Sequence, residues 1–273
     1  MNLLLCTDGT PKSEGALAFG ERLAQTLGAA VTVLGACEQS TQEAAFAEAL
    51  AEICARLMAN GVACETVLHP MPIRHAVVAQ ATAIAYDMVI VGLVERGRLR
   101  RWLRGPSTRR ILQYVAAPVL VVPFDRPAIH NILLCSGDLW YPAATMDMVQ
   151  HIALSAGAEV TLLYVVPEPQ LNYPVLREME DAWGALLQTD TLQGRNLKSC
   201  QETLRSQGIE AGIKLRHGPI TEQILNEIRE GEYDMVALGS TYTTQSLRRY
   251  FAPGITDKIV EHAGRPVLVV RHR

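Results

Sequence analysis

The sequence predicts an α/β protein made of two tandem copies of one open, five-stranded parallel-sheet domain with helices on both faces. The first observation is that blocks recur in the same order along the 273 residues. Residues 2–6 return as 131–135, 28–38 as 157–168, 87–92 as 234–239, and 118–122 return unchanged as 266–270. Ordered recurrence of this kind indicates a duplicated domain. The length agrees, because two domains of about 130 residues each fall in the usual size range.

The second observation is that short apolar runs alternate with longer segments of helical pattern. This alternation predicts parallel strands joined by right-handed helical crossovers. The runs are almost continuously apolar, as expected of strands that are covered on both faces. The predicted strands are 2–7, 30–36, 62–68, 87–92 and 118–122 in the first copy, and 130–136, 158–166, 209–216, 233–239 and 266–271 in the second.

Helix boundaries are marked by local signals in the first copy. Thr10 and Pro11 are placed to open the first helix as N-cap and first-turn proline, and Gly28 to close it. A second helix is predicted at about 40–60, a third from near Pro72, and a fourth from 105–107.

Two prolines between strands mark residues 123–130 as a linker, so we predict domains at 1–127 and 128–273. The early repeated blocks are offset by 129 residues and the late ones by 147, which gives the second copy about 18 extra residues within 167–194. This insertion predicts an arm, a lid or a longer helix.

Composition excludes several classes of function. The net charge of −3 does not indicate a nucleic-acid-binding protein. No apolar stretch reaches the roughly 18 residues of a membrane span, and no secretory signal is evident, so we expect a cytoplasmic protein. The six cysteines form no C-x-x-C pair and are expected to be core thiols, and the seven scattered histidines predict no metal site.

Ligands of open α/β sheets bind outside the carboxyl ends of the strands. Three elements of the first copy fall there: residues 7–10 with the carboxylate of Asp8, Gly92 at the end of the fourth strand, and residues 105–108 at a helix start. A glycine lets backbone approach a phosphate, and a helix N-terminus offers free N–H groups to anions. Asp8 has an alternative role, because Asp-Gly-Thr-Pro also makes a good turn and helix cap without a ligand.

These elements resemble the universal stress protein family over the whole chain, twice. The matching motifs are T-D-G-T-P-x-S-E-x-A-L at 7–17, D-M-V-I-V-G at 87–92 and P-V-L-V-V at 118–122. The resemblance implies five-stranded, Rossmann-like domains of the adenine nucleotide alpha hydrolase-like type, packed as an intramolecular pseudo-dimer. It also implies that strands 118–122 and 266–270 pair antiparallel inside one chain, and a homodimer of the pseudo-dimer is a further expectation.

Some members of this family bind ATP through G-x-x-G, nine residues, then G-[ST], and others bind no nucleotide. In the first copy Gly92 and Gly105 match the outer glycines, and Asp8 matches the family's nucleotide-contacting aspartate. Glu95 replaces the second glycine and Pro106 the Ser or Thr, which adds a negative charge and removes an N–H donor. The resemblance therefore implies a degenerate site for ATP with magnesium. Its candidate residues are Asp8, Gly92, Arg98, Gly105 and Ser107.

The second copy departs further from the motif. Gly239 is kept, but Tyr242 replaces the second glycine, Ala252 or Pro253 the third, and Gly137 lies opposite Asp8. We expect no functional nucleotide site in this copy.

An arginine cluster crowds the loop and helix start of the first copy. Its members are Arg96, Arg98, Arg100, Arg101, Arg104, Arg109 and Arg110. Arginine favours phosphate and carboxylate, so the cluster indicates either an anion site or a solvated face that pairs with acidic groups. Trp102 stands among them and either stacks on a base or packs inward.

No nucleophile–base–acid constellation is readable, and no catalytic residue is assigned. Asp87 and Asp234 are expected to be turn or capping residues, and Tyr86, Tyr114 and Tyr233 to be packing residues. We therefore predict a non-enzymatic stress-response protein. The alternatives are an ATP-binding or hydrolysing enzyme that uses Asp8 and Glu95, and a sensor of another small anionic ligand.

Overall fold

The structure is a computed structural model, and it describes residues 1–38, 43–92, 107–136, 143–166, 192–240 and 254–271. The first copy runs β1 (Asn2–Thr7), α1 (Pro11–Leu27), β2 (Ala30–Ala36), α2 (Glu43–Ala59), β3 (Cys64–His69), α3 (Ile73–Ala83), β4 (Met88–Gly92), α4 (Ser107–Tyr114) and β5 (Val119–Val122). Each of the five predicted strands of this copy is present.

The second copy repeats this order within the described residues. It runs β6 (Asn131–Ser136), α5 (Ala143–Ala156), β7 (Glu159–Val166), α6 (Leu192–Ser206), β8 (Ala211–His217), α7 (Ile220–Glu230), β9 (Met235–Ser240), α8 (Ile255–His262) and β10 (Val267–Arg271). The duplicated α/β architecture predicted from the sequence is confirmed. Most of the predicted insertion, residues 167–191, lies outside the described residues.

The chain divides into two compact units. The first contains Met1–Ala128 together with Gly264–Arg271, and the second contains Ile129–Ala263. The last strand, β10, therefore groups with the first unit. The predicted boundary between residues 127 and 128 stays a prediction.

In the first unit the strands lie in the order β3-β2-β1-β4-β5-β10. The first five are parallel, and β10 pairs antiparallel with β5, with Leu268 opposite Leu120. The pairing that the family resemblance implied for the two closing strands is thus present. The second unit has β9-β6-β7-β8, all parallel.

The inner strands bury nearly all of their side chains, whereas the side chains of the edge strands β3 and β8 are mostly half-buried or exposed. In β1, for example, Leu3, Leu4 and Leu5 are fully buried, as are Leu133 and Leu134 in β6. Burial on both faces explains why the strands read as continuous apolar runs in the sequence.

The ends of α1 follow the predicted signals. Thr10 is the N-cap with extended backbone, Pro11 is the first helical residue, and Gly28 ends the helix in the left-handed region with φ +58°. The Thr10 hydroxyl makes no capping hydrogen bond to the helix, and it donates to the side chain of Asp8. Strand β3 begins two residues later than predicted, because the chain turns at Gly61 (φ +79°) and Val62 N–H still bonds to the Leu57 carbonyl of α2.

Equivalent aspartates anchor the first strand of each copy. Asp87 Oδ2 accepts from Asn2 N–H at 2.6 Å. Asp234 Oδ2 accepts from His130 N–H at 2.8 Å and from Asn131 N–H at 3.0 Å. The turn or capping role predicted for both aspartates stays a prediction, because these bonds run to the start of the neighbouring strand.

The cysteines correct one expectation. Cys6 and Cys135 are buried, and burial raises the pKa of both thiols, as expected of core thiols. Cys54 of α2 and Cys64 of β3 instead form a disulfide. The expectation of six core thiols is therefore wrong for this pair, whose members come together only once α2 has folded back onto β3.

No helix in the described residues is long and apolar enough to cross a bilayer.

Helix α2 packs onto β2 at a point where only a glycine fits. A Cβ added to Gly35 would lie 2.4 Å from Leu50 Cδ1 and 3.0 Å from Phe46 Cε1. Leu50 is itself buried, so its side chain has little room to withdraw.

We predict that Gly35→Ala lowers the free energy of unfolding by about 1–3 kcal/mol, because it overpacks this contact. Gly212→Ala is the matched control, since a Cβ at Gly212 in β8 meets nothing within 4 Å. This variant should lower the free energy of unfolding by no more than about 0.5 kcal/mol. Urea denaturation of both variants checks the difference, and equal stability of the two would contradict the close packing of α2.

Candidate functional site

The candidate site lies at the carboxyl edge of the first unit, where the strand order reverses. Strand β1 has β2 on one side and β4 on the other, and Cys6 is opposite Val91. Asp8 therefore follows β1 at the same edge at which Gly92 ends β4. A reversal point of this kind is where ligands bind in open α/β sheets.

Hydrogen bonds fix the loop between β1 and α1. The Ser13 hydroxyl donates to the Thr10 carbonyl at 2.8 Å, so the buried Thr7 hydroxyl donates to Ser13 Oγ at 2.9 Å. Thr7 Oγ1 in turn accepts from Gly9 N–H at 3.1 Å. The loop is held in shape by its own residues.

Asp8 has the turn role that the sequence left open for it. Its Oδ1 accepts from Thr10 N–H at 3.1 Å and from the Thr10 hydroxyl at 2.6 Å. Both bonds use the same oxygen, and within the described part of the chain Oδ2 has no partner. The turn role and a ligand contact through Oδ2 are therefore compatible.

Phe46 is a neighbour of this loop that the sequence reasoning missed. Gly9 has φ +72°, and a Cβ placed there would lie 3.0 Å from Phe46 Cε2. Phe46 comes from the first turns of α2, and no local pattern distinguishes it from an ordinary core aromatic. Gly9 is thus restricted both by its backbone conformation and by this ring.

Helix α4 begins at Ser107, the fourth helix start that the sequence predicted. Thr108 is buried, and its Oγ1 has no hydrogen-bond partner among the described residues. A buried hydroxyl without a partner is uncommon and calls for an acceptor.

Arg109 and Arg110 follow on the same helix and are exposed. The Arg110 guanidinium lies 5.8 Å from the ring centre of Tyr114. Tyr114 is 60% exposed, so its predicted packing role is wrong. The ring lies on the surface of α4 next to Arg110 and does not pack in the core.

The remaining candidates lie outside the described residues. In the first copy these are Gly105, Arg98 and the other arginines before Ser107, together with Glu95, Trp102 and Pro106. In the second copy they are Gly137, Tyr242, Ala252 and Pro253. The structure thus places Asp8 and Gly92 at the same edge of the sheet, and the described part of α4 begins at Ser107.

A buried polar cluster occupies equivalent positions in both units and was also missed. In the first unit Gln80 Nε2 donates to Tyr86 Oη at 2.9 Å, and His69 Nε2 is 3.1 Å from Gln80 Oε1. Gln80 and Tyr86 are both buried, so Tyr86 packs as predicted.

In the second unit the same positions hold a charged version of the cluster. Glu227 stands where the first unit has Gln80, and it is only 1% exposed. Its Oε1 accepts from Lys214 Nζ at 2.7 Å and from Tyr233 Oη at 2.6 Å, and its Oε2 accepts from Arg216 Nε at 2.6 Å. Arg216 also reaches the exposed Glu230.

The pKa of Glu227 shows that its partners outweigh its burial. Burial alone would raise this pKa, but hydrogen bonds from Lys214, Tyr233 and Arg216 lower it below the ordinary value for glutamate. Burial and the bond to Glu227 raise the pKa of Tyr233. Both carboxylate oxygens of Glu227 accept hydrogen bonds from protein donors. We therefore assign the cluster a role in stabilising the fold and not in catalysis.

Metal binding finds little support in the described residues, where no three His, Cys, Asp or Glu side chains form a group that could hold an ion. A magnesium ion that arrives with a nucleotide is bound mainly by phosphate and water, and needs only one or two carboxylates. Asp8 is one of the described carboxylates at this edge.

The fold and the site define a class of protein: a duplicated Rossmann-like α/β protein with polar residues at the reversal point of its sheet. The model of the universal stress protein family matches residues 1–123 and again residues 129–271. The chain belongs to this family. No significant match is found among curated proteins.

Solved structures agree with the fold. A universal stress protein from Archaeoglobus fulgidus DSM 4304 is similar with a TM-score of 0.67 and 14% identity, over 99% of this chain and 98% of that one. A putative universal stress protein from Pseudomonas aeruginosa UCBPP-PA14 has a TM-score of 0.68 and 15% identity, over 99% and 92%. At this identity the likeness concerns the fold alone.

We predict that Glu227→Gln lowers the free energy of unfolding by about 2–4 kcal/mol, because a neutral amide cannot satisfy Lys214 and Arg216 together. Glu230→Gln is the control, since it removes an exposed partner of the same arginine and should cost less than about 1 kcal/mol. Denaturant unfolding at neutral pH measures both.

The same substitution has a pH signature. Because the pKa of Glu227 is lowered on folding, its stabilisation is present above the unfolded value of about 4.3 and is lost as pH falls through the folded value. The cost of Glu227→Gln should therefore shrink below about pH 4.3. A cost that stays constant across this range would contradict a charged Glu227.

Proposed function

We propose that the protein is a non-enzymatic, tandem universal stress protein that binds an adenine nucleotide weakly in its first copy. In this proposal the second copy binds no nucleotide, ATP is bound with magnesium, and the protein acts in the cytoplasm through contacts with other proteins. The family membership rests on two matches that together span nearly the whole chain.

The observation that supports the proposal is that Asp8 and Gly92 lie at one edge of the first unit. Asp8 follows β1, Gly92 ends the neighbouring β4, and α4 begins at Ser107. The start of α4 carries the buried Thr108 hydroxyl, which has no partner in the described ranges. A phosphate oxygen is an acceptor of the kind this hydroxyl lacks, and helix N-termini favour anions.

Weak binding follows from the departures in sequence. Glu95 places a negative charge where the family motif has glycine, and Pro106 removes a backbone donor where it has Ser or Thr. Asp8 also shares its Oδ1 with Thr10, so only its second oxygen is available to a ribose or base. The second copy lacks the aspartate altogether, since Gly137 stands in its place.

Self-association of the two copies through strands 118–122 and 266–270 belongs to the same proposal. The antiparallel pairing of β5 with β10, with Val267 opposite Val121 and Val269 opposite Val119, supports it. Apolar edge strands left unpaired would be open to aggregation.

We predict that the full-length chain binds Mg–ATP with one site per chain in a calorimetric titration. Asp8→Ala should weaken this binding by about 10-fold or more, because it removes a charged hydrogen-bond acceptor. Asp147→Ala is the matched control, since it removes the same charge from an exposed position on α5. It should leave the affinity unchanged.

Two results would contradict the proposal. One is equal binding by the Asp8→Ala and Asp147→Ala variants, which would locate the nucleotide elsewhere. The other is steady phosphate release from ATP that disappears in Asp8→Ala, which would make the protein an enzyme. Release that persists in this variant would point to a contaminant.

A further inference from the structure

The Cys54–Cys64 pair joins a helix to a strand in the first unit, and the second unit has an equivalent junction with which it can be compared. Cys54 lies in α2 and Cys64 opens β3, with their Cα atoms 5.5 Å apart. This separation lies within the usual range for a disulfide. The pair therefore links a helix to an edge strand of the first unit.

The equivalent positions of the second unit are Gln201 and Ala211. Sheet register identifies them, because Cys64 is opposite Val31 and Ala211 is opposite the repeat-equivalent Val160. The turns after the two helices agree as well. The Leu57 carbonyl accepts from Val62 N–H in the first unit, and the Leu204 carbonyl accepts from Ile209 N–H in the second.

In the second unit this junction is held by two hydrogen bonds and not by sulfur. Gln201 Nε2 donates to the Ala211 carbonyl at 2.7 Å, and Arg205 Nη2 donates to the same oxygen at 2.9 Å. The fold thus needs a contact between helix and strand here, but it does not need a covalent bond. The cysteine pair adds chemistry that the architecture does not require.

The two sulfurs differ in their access to solvent. Cys54 is 6% exposed and lies within the core, whereas Cys64 is half-buried. Cys64 also lines an open cleft of about 330 Å³ at the amino edge of β1, β2 and β3. Other residues of this cleft include Thr32, Glu65, Ile84 and Tyr86. Cys64 is therefore the more accessible residue of the pair.

We propose that Cys54 and Cys64 form a reversible redox modification site that exchanges with low-molecular-weight thiols and disulfides. In oxidation the Cys64 thiolate attacks a small disulfide R–S–S–R, which forms a mixed disulfide and releases one thiolate R–S⁻. The Cys54 thiol then loses its proton to solvent and attacks the Cys64 sulfur. This step closes the Cys54–Cys64 bond and releases the second R–S⁻.

The net reaction turns two protein thiols and one small disulfide into one protein disulfide and two small thiols, and excess small thiol reverses it. Oxidation ties α2 to β3 across a sequence separation of 10 and so restricts the unfolded chain. The site is independent of the proposed nucleotide site, which lies at the opposite, carboxyl edge of the same strands.

The test equilibrates the full-length protein with mixtures of oxidised and reduced glutathione, blocks remaining thiols by alkylation and measures the intact mass and peptide map. We expect the fraction of Cys54–Cys64 disulfide to follow the glutathione ratio reversibly. A pair that stays oxidised at every ratio in the native protein would be a structural disulfide, and a pair that stays reduced would have no redox role. Either result overturns the proposal.

Single variants test the order of attack. Cys54→Ser should trap Cys64 as a stable mixed disulfide with glutathione, because the second thiol is missing. Cys64→Ser should leave the buried Cys54 unmodified. The same modification in both variants, or in neither, would contradict Cys64 as the attacking thiol.

A double variant supplies the stability control. Cys54→Gln combined with Cys64→Ala gives the first unit the residue pair of the second, so it should fold. Oxidation should raise the Tm of the natural sequence by roughly 5–10 °C and leave that of the double variant unchanged. Equal Tm shifts in both proteins would assign the effect to other cysteines and overturn the proposal.

Discussion

The parallel pairing of β1 with β4 is the constraint on which the rest of the structure depends. Because these strands meet where the strand order reverses, their carboxyl ends face one edge with no helix crossing between them. Asp8 and Gly92 lie there for this reason, although 84 residues separate them in sequence. Strands β6 and β9 repeat the arrangement in the second copy. The duplication thus supplied two equivalent sheet edges, of which the second departs further from the family motif.

Comparison of the two copies separates what the fold requires from what it tolerates. Both copies keep the aspartate that anchors the first strand and the turn after the second helix. Both also keep a buried polar group beside a tyrosine, which is neutral Gln80 in one copy and charged Glu227 in the other. The position requires a hydrogen-bonded polar side chain, and the charge is optional once cations surround it.

Sequence reasoning was strongest where local chemistry decides the structure. Apolar periodicity located the strands, and the role of Gly28 followed from helix-ending chemistry. It failed where distant segments meet. The Cys54–Cys64 bond and the Phe46–Gly9 contact depend on how α2 packs, which no spacing encodes. Tyr114 was misjudged because helical spacing alone does not say which face of a short helix is covered.

The central claim is that one copy retains a weak nucleotide site while the other has lost it. Native mass spectrometry of the full-length chain with Mg–ATP tests this claim most directly, because it counts bound nucleotides on each chain. The account predicts one ATP per chain, at increasing occupancy as ATP is raised. Two nucleotides per chain would contradict the loss of the second site, and none at high ATP would contradict the retention of the first.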